Sequence, residues 1–324
     1  MTDQSKRKWV WLVLSGSGMK LYAFLGALRA LVEAGYSFLG VTGTSGGAVV
    51  AGALGKHWDP KDPVGSVERL IAEARTINPA AVLTKSIRWR VWEWLLTKVF
   101  RRGAKGVFQT DKLLKEFRKH APATIGECSL PVAITSYQVN LDSPRAVLFT
   151  EDDVDLPNAI LGSMSLPPPI FDPAMYGKAL LQDGGWVKNF AIPDDQKDVV
   201  GLYFDAVGDE IEGHGVVEDP EHLVPVRDNI DLWLKLIFGL IDTNMRESIE
   251  EAEEEGVDLT KVKIETSIEG FDFFASQDKI NQAIEEGYQS TKTVLSALGR
   301  NDNEEDDAAT RVRRAPRRFG LRRR

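Results

Sequence analysis

The first 55 residues alternate between short apolar runs and segments with helical spacing, and this alternation limits the possible folds of the chain. Trp9–Leu14 is a continuous apolar run of the kind found in buried strands. From Leu21 to Val32 the apolar residues recur at helical spacing, and Gly35 is suited to end that helix. Phe38–Val41 is a second short apolar run. Strand, helix and strand in this order predict an α/β layer fold with a parallel sheet.

A G-x-S-x-G sequence, Gly43-Thr44-Ser45-Gly46-Gly47, lies where the second strand gives way to a small-residue helix at Ala48–Leu54. Glycine on both sides of Ser45 allows a turn sharp enough to lift the hydroxyl clear of the sheet. The helix that follows directs its N-terminal N–H groups and its positive dipole end at that hydroxyl. This position, more than the bare pattern, makes Ser45 a candidate nucleophile; the alternative is an ordinary turn serine.

Composition restricts the class of protein further. With 324 residues, 43% of them hydrophobic, the chain can bury a full core. The single cysteine, Cys128, excludes an internal disulfide framework and is typical of the cytoplasm. No run approaches the roughly 20 apolar residues of a membrane span, and Trp9–Leu14 is too short for a signal peptide. The four histidines lack metal-ligand spacing, so no metal site is predicted.

The remaining sequence predicts one domain over residues 1–298 and a separate tail over residues 299–324. The tail begins with an acidic block and ends with eight arginines between Arg311 and Arg324, a composition that predicts disorder. Within the domain, four further strands and two helices are predicted at Pro131–Val139, Arg145–Phe149, Val199–Phe204, Val262–Ile268, Ile230–Glu255 and Asp278–Leu298.

Three further motifs occur in order with the serine motif. Leu14-Ser15-Gly16-Ser17-Gly18-Met19-Lys20 ends the first strand in a glycine-rich turn, and Ala159–Pro167 is a segment of small residues and proline. Asp183-Gly184-Gly185 follows another apolar run. Over about residues 9–298 this order resembles the patatin-like phospholipases. The resemblance implies a three-layer patatin-like α/β fold with a mainly parallel central sheet flanked by helices.

The resemblance also implies a lipid acyl hydrolase of the phospholipase A or lysophospholipase type, which needs no cofactor and acts on a phospholipid or another lipid ester. By motif, Ser45 is the nucleophile and Asp183 the general base, without a catalytic histidine. The backbone N–H groups of Gly16, Ser17 and Gly18 would face the oxyanion. The supporting residues implied in the same way are Lys20, Gly43, Gly46, Gly47, Gly184 and Gly185.

The glycine-rich turn departs from the family pattern G-G-G-x-R/K-G. Ser17 replaces the middle glycine and Leu21 the last one, while Lys20 keeps the basic position. If Ser17 requires a positive φ, it carries a steric cost of about 1 kcal/mol that glycine avoids. Two alternatives therefore stay open. One is a catalytically weak or inactive protein that binds membranes or assemblies, and the other is an acyltransferase.

Two regions are candidates for contact with other molecules. One face of the segment from Ile87 to Arg102 is apolar and suits either core packing or peripheral membrane contact. The arginine-rich tail suits a solvated end, an anionic membrane or nucleic acid, whereas the acidic excess of the whole chain argues against a nucleic-acid partner elsewhere. No activating protein is indicated. The membrane-contact candidates are Trp89, Arg90, Trp92, Trp94 and Arg101.

Overall fold

The computed structural model describes residues 7–79, 110–166, 170–171, 174–204, 229–270 and 272–314. The membrane-contact candidates at 89–101 and the end of the tail at 315–324 lie outside these ranges. The strands are β1 Lys8–Leu14, β2 Tyr36–Thr44, β3 Val132–Gln138, β4 Arg145–Phe149, β5 Ala174–Tyr176, β6 Ala179–Asp183, β7 Asp198–Tyr203 and β8 Asp258–Lys263. The α-helices are α1 Leu21–Glu33, α2 Gly46–His57, α3 Pro63–Thr76, α4 Thr110–His120, α5 Leu156–Met164, α6 Asn229–Glu254 and α7 Gln277–Arg314.

All eight described strands belong to one mixed sheet in the order β5-β6-β3-β2-β1-β7-β8, with β4 paired to β3 off this path. The pairs along β3-β2-β1-β7-β8 are parallel. The pairs that β3 makes with β4 and β6, and the pair of β5 with β6, are antiparallel. The predicted α/β fold with a mainly parallel central sheet flanked by helices is therefore confirmed.

The continuous apolar character of β1 follows from its burial on both faces of the sheet. Leu12 and Leu14 join the main core, which includes α1, α2 and α7. Val13, between them, points to the other face and packs in a second core with Met245 and Ile249 of α6. Since successive side chains of a strand alternate between the two faces, a strand covered on both sides must be apolar throughout.

Helix α7 packs very closely on α1. A Cβ atom at Gly26 of α1 would collide with the carbonyl oxygen of Ile284 in α7, so the small residue sets the distance between the two helices. Phe24 and Leu28 of α1 are completely buried. Ile280, Ala283 and Ile284 of α7 belong to the main core. Burial of this one face explains why the apolar residues of the last helix recur at helical spacing in the sequence.

Two boundaries differ from the sequence prediction. The last strand is Asp258–Lys263 rather than Val262–Ile268, because pairing with β7 at the edge of the sheet selects a half-exposed segment with polar residues. Helix α7 runs to Arg314, past the domain boundary expected at residue 298 and into the segment expected to be disordered. An acidic, alanine-containing sequence can extend a helix that is already nucleated on the core.

Candidate active site

Ser45 occupies a strained backbone turn between β2 and α2. Its φ of 53° and ψ of −121° make it the one non-glycine residue with positive φ in the described part of the chain. Strand β2 ends at Thr44 and α2 begins at Gly46, which is the strand-turn-helix context expected for a nucleophile. Gly47 allows the turn to be this tight, since a Cβ atom there would collide with the carbonyl oxygen of Leu14 on β1. The strain presents the Ser45 side chain beside the end of the sheet.

Strand β3 explains how Asp183 reaches Ser45 from a distant part of the chain. Parallel β2 pairs with β3 up to Thr44 opposite Thr135. Antiparallel β6 pairs with β3 up to Asp183 opposite Ser136, the next residue. Because the two strands approach from opposite directions and end on adjacent residues of β3, the residue after β2 and the last residue of β6 come together.

The two side chains form a direct hydrogen bond. The Ser45 hydroxyl donates to Oδ2 of Asp183 at 2.6 Å, and the Gly185 N–H donates to Oδ1 at 2.8 Å. Asp183 is 1% exposed and Ser45 is 9% exposed, so water has little access to this pair. Each carboxylate oxygen therefore has one defined donor, and the basic oxygen faces the hydroxyl that it would deprotonate.

Burial changes the acidity of Asp183 in the direction that would favour such a proton transfer. Loss of solvent raises the pKa of Asp183 from 3.8 to about 6, and the hydrogen bonds from Ser45 and Gly185 limit the rise. A carboxylate with a pKa near neutrality is a stronger base than an exposed aspartate and still ionised above pH 6. The pair can act as nucleophile and base without a histidine.

A buried hydroxyl that the sequence analysis did not select holds the serine turn. The Ser45 N–H donates to Oγ of Ser163 at 2.8 Å, and the Ser163 hydroxyl donates to the carbonyl oxygen of Thr135 at 2.5 Å. Ser163 is completely buried in α5. This bridge joins the strained turn to β3, the strand that also aligns Asp183. Its only sequence signal is its place in the small-residue segment that carries the family resemblance.

The glycine-rich turn after β1 lies beside the serine turn because Leu14 pairs with Gly43. The Gly16 N–H donates to Oδ1 of Asn189 at 2.7 Å, which differs from the expectation that it faces the oxyanion. Ser17 has a φ of −143°, so the expected steric cost of a positive φ is absent. Gly18 carries the positive φ instead, at 52°, and its backbone abuts the carbonyl of Gly270.

Within the described ranges, the N–H groups of Ser17 and Gly18 make no backbone or side-chain hydrogen bond. The Ser17 hydroxyl is also buried there without a hydrogen-bond partner, and it lies against Gly46 at the start of α2. Unsatisfied donors of this kind at a helix N-terminus suit an anion that forms transiently.

The model of the patatin-like phospholipase family matches residues 12–194, which include the glycine-rich turn after β1, the serine turn with Ser45, and Asp183. The match covers more than half of the chain. The chain belongs to the patatin-like phospholipase family. It is thus a member of a family of lipid hydrolases, as the resemblance of its motifs indicated.

Among curated relatives of this patatin-like protein are uncharacterised NTE family proteins of Mycobacterium bovis and Mycobacterium tuberculosis. Each is 29% identical to it over 177 residues, which are 54% of this chain and 42% of the relative. The match thus spans less than half the length of these relatives. The solved structures to which this chain is similar include VipD from Legionella pneumophila, with 13% identity and a TM-score of 0.44 over 89% of this chain and 67% of VipD. Another is the effector ExoU in its complex with SpcU from Pseudomonas aeruginosa, with 15% identity and a TM-score of 0.41 over 90% and 53%.

The supporting residues of the patatin-like motifs lie around the Ser45–Asp183 pair. Gly185 donates to Asp183, and a Cβ atom at Gly184 would collide with the carbonyl oxygen of Thr135. Gly43 and Gly46 likewise have backbone atoms where a side chain would be, those of Gly47 and Gly18 respectively. The Lys20 ammonium lies 5.5 Å from the centre of the Phe204 ring, a cation–π contact that anchors the end of the first turn.

An apolar pocket with a cavity volume of about 160 Å³ opens beside Ser45. Its walls come from α1, α2, α3, α4 and α5, and they include Tyr22, Val49, Leu70, Leu113, Ile160 and Phe171. A pocket lined in this way suits a hydrocarbon chain. Within the described residues, no group of three His, Cys, Asp or Glu residues is arranged to bind a metal ion. In the same ranges, the helices are too short or too polar to cross a membrane.

Proposed function

We propose that this protein is a lipid acyl hydrolase of the phospholipase A or lysophospholipase type that uses the Ser45–Asp183 pair. The observation that carries the proposal is the 2.6 Å hydrogen bond from the Ser45 hydroxyl to buried Asp183, beside an apolar pocket. A base that accepts the hydrogen bond of the hydroxyl can take its proton and so activate the nucleophile. The pocket can hold the acyl chain of the ester. The substrate is a phospholipid or another lipid ester.

The reaction proceeds in two acyl transfers. The Ser45 oxygen attacks the ester carbonyl carbon while its proton moves to Oδ2 of Asp183. The bond from that carbon to the alcohol oxygen then breaks, and Asp183 returns the proton to the leaving oxygen. Water attacks the acyl-enzyme in the same way, with Asp183 as the base, and releases the fatty acid. The N–H groups of Ser17 and Gly18 would stabilise the oxyanion in both steps, and such a donor contributes about 3 to 4 kcal/mol in a serine hydrolase.

A lipid-panel hydrolysis assay tests this proposal. The panel contains diacyl phospholipids, lysophospholipids and neutral glycerides, and the proteins are the wild type, Ser45→Ala and Asp183→Asn. Wild-type protein should release fatty acid and should be labelled at Ser45 by a fluorophosphonate probe. Ser143→Ala, which changes an exposed turn serine, is the matched control and should behave as the wild type. Abundant hydrolysis by Ser45→Ala would contradict the mechanism.

A second candidate function is a patatin-fold binding protein with weak or no catalysis. The bond from Gly16 to Asn189 favours it, because it leaves two backbone donors in the turn instead of three. In that case the fluorophosphonate probe would leave Ser45 unlabelled, while vesicles containing phospholipid would still retain the protein. Labelling at Ser45 with release of fatty acid would exclude this candidate.

A further inference from the structure

The apolar pocket follows one face of α2 from its start to Ala53. Its lining includes Ser45, Gly46, Val49 and Ala53, which lie at helical spacing on the same side. With a rise of 1.5 Å per residue, Ala53 is about 12 Å along the helix axis from Ser45. An acyl chain attached to Ser45 would therefore lie along α2 and point toward the C-terminal end of this helix.

Two carboxylates and a histidine occupy the wall of the pocket at that end. Glu73 of α3 and Glu116 and His120 of α4 line it, and His120 pairs with Glu73 at 2.7 Å and with Glu116 at 3.1 Å. Glu73 also pairs with Lys56 at 2.7 Å and with His57 in the last turn of α2. We call these five residues the charged cluster. It joins α2, α3 and α4 where the apolar lining ends.

The charged cluster opposes any extension of a hydrocarbon chain. Burial alone would raise the pKa of Glu73, but hydrogen bonds from Lys56, His120 and His57 lower it to about 2. Its carboxylate is thus ionised and satisfied, with 21% of the side chain still exposed. A chain pushed past Ala53 would have to remove the remaining water from these charges or break their pairs, and either change is unfavourable.

We infer that the charged cluster limits the acyl group to medium length, about six to ten carbons. An extended chain advances about 1.2 Å per bond, so the path from Ser45 to Ala53 holds about ten carbons. The cavity volume of about 160 Å³ is close to that of an engineered cavity of about 150 Å³ that binds benzene. Because benzene has six carbons, this comparison gives the lower end of the range. The inference deepens the proposed function and rests on it for the identity of the ligand as an acyl chain.

Binding measurements test the length limit without any turnover. Methyl esters of straight-chain acids with 4 to 16 carbons, kept below their aggregation concentrations, are titrated into the Ser45→Ala protein by calorimetry. Affinity should rise about fourfold per methylene, equivalent to about 0.8 kcal/mol, and stop rising at about ten carbons. A continuous rise to the longest soluble ester would overturn the inference.

A matched pair of substitutions on α3 locates the limit. Ala74 lines the pocket next to Glu73, whereas Ala72 is exposed on the same helix. In the Ser45→Ala background, Ala74→Leu should move the limit shorter by two to three carbons, and Ala72→Leu should leave it in place. Ala53→Leu is the second pocket variant and should shorten the limit too, which covers the case in which Ala74→Leu does not fold. Equal behaviour of the pocket variants and Ala72→Leu would overturn the inference.

The two proposals fail in different ways. If wild-type protein hydrolyses nitrophenyl esters of all lengths at rates that keep rising with chain length, the length limit is wrong and the hydrolase is supported. If esters bind with the expected limit but wild type neither hydrolyses them nor reacts with the fluorophosphonate probe, the hydrolase is wrong and the acyl pocket stands. If the esters do not bind to Ser45→Ala, the inference is overturned whatever the wild type does.

Discussion

The Gly16 N–H donates a 2.7 Å hydrogen bond to Oδ1 of Asn189, a residue 173 positions later in the chain. Asn189 is buried and lies in the segment that follows Asp183 at the end of β6, so the bond ties the glycine-rich turn to that segment. Ser45, Asp183 and the glycine-rich turn are therefore held as one unit: Ser163 braces the serine turn on β3, and Asn189 braces the glycine-rich turn on the segment that follows Asp183.

Removal of the Asn189 side chain should release the glycine-rich turn. We expect Asn189→Ala to lower the free energy of unfolding by about 1 to 3 kcal/mol, because the Gly16 N–H loses its acceptor. It should also lower kcat more than it changes KM, since in the proposed mechanism the turn stabilises the transition state. Denaturant unfolding and ester kinetics measure both effects. Asn140→Ala is the control: Asn140 accepts the Leu180 N–H at 2.8 Å in an exposed turn, and its loss should spare kcat. Equal kcat in the two variants would show that Asn189 does not position the turn.

The strained backbone at Ser45 predicts an unusual order of stabilities. At a φ of 53° an alanine carries the steric cost of its Cβ atom and a glycine does not, so Ser45→Gly should be more stable than Ser45→Ala by about 1 to 2 kcal/mol. Both variants lose the same hydroxyl, and denaturant midpoints give the difference. At buried Ser37 in β2, a residue without positive φ, the order should reverse by about 0.5 to 1 kcal/mol. The same order at both positions would contradict the strain.

Local sequence patterns were sufficient to predict the strands and helices around Ser45, and motif order was sufficient to select Asp183. The spacing of apolar residues in β1, α1 and β2 reflects which of their faces are buried by the adjacent layers, so it can be seen in the sequence of each segment. The family resemblance supplied Asp183, since the meeting of β2 and β6 on β3 is a long-range pairing that no local pattern encodes.

Other parts of the site were not predictable for the same reason. The partners of Ser163 and Asn189 depend on contacts made by distant segments. Helix α5 did carry a local signal, because Asp155 caps it by accepting the Asn158 N–H and Pro157 lies in its first turn. The walls of the pocket come from five different helices. Its length therefore could not be predicted from any single segment of the sequence.

Loss of the Ser163 hydroxyl should lower kcat, whereas loss of the nearby Ser165 hydroxyl should not. In Ser163→Ala the Ser45 N–H has no acceptor, so we expect a cost of about 1 to 3 kcal/mol in stability and a lower kcat from a less ordered turn. Ser165→Ala is the matched control: its buried hydroxyl donates to the carbonyl of Leu161 and does not reach Ser45. Unfolding and ester hydrolysis are compared for both. A kcat that falls equally in the two variants would assign Ser163 a general packing role only.

Hydrolysis should depend on the ionisation of Asp183. Its carboxyl has a pKa raised to about 6 by burial, and only the ionised form can accept the Ser45 proton. We expect kcat/KM for a short ester to rise about tenfold per pH unit below pH 6 and to level off above it. Initial rates between pH 4.5 and 8 measure the profile in buffers of constant ionic strength. A rate already at its plateau at pH 4.5 would contradict the assignment of Asp183 as the base.

The same carboxyl links stability to pH. Because the folded-state pKa of Asp183 is about 6 and its ordinary value is 3.8, the folded protein holds this proton more tightly than the unfolded chain does. The stabilising contribution is complete below about pH 4 and is lost as pH rises through about 6, a change of about 3 kcal/mol.

Asp183→Asn does not titrate, so its free energy of unfolding relative to wild type should increase by about this amount between pH 4 and pH 7.5. Urea unfolding of both proteins across that range measures the difference. A constant difference for Asp183→Asn would mean that the carboxyl titrates alike in the folded and unfolded chain, and that burial does not tune the base.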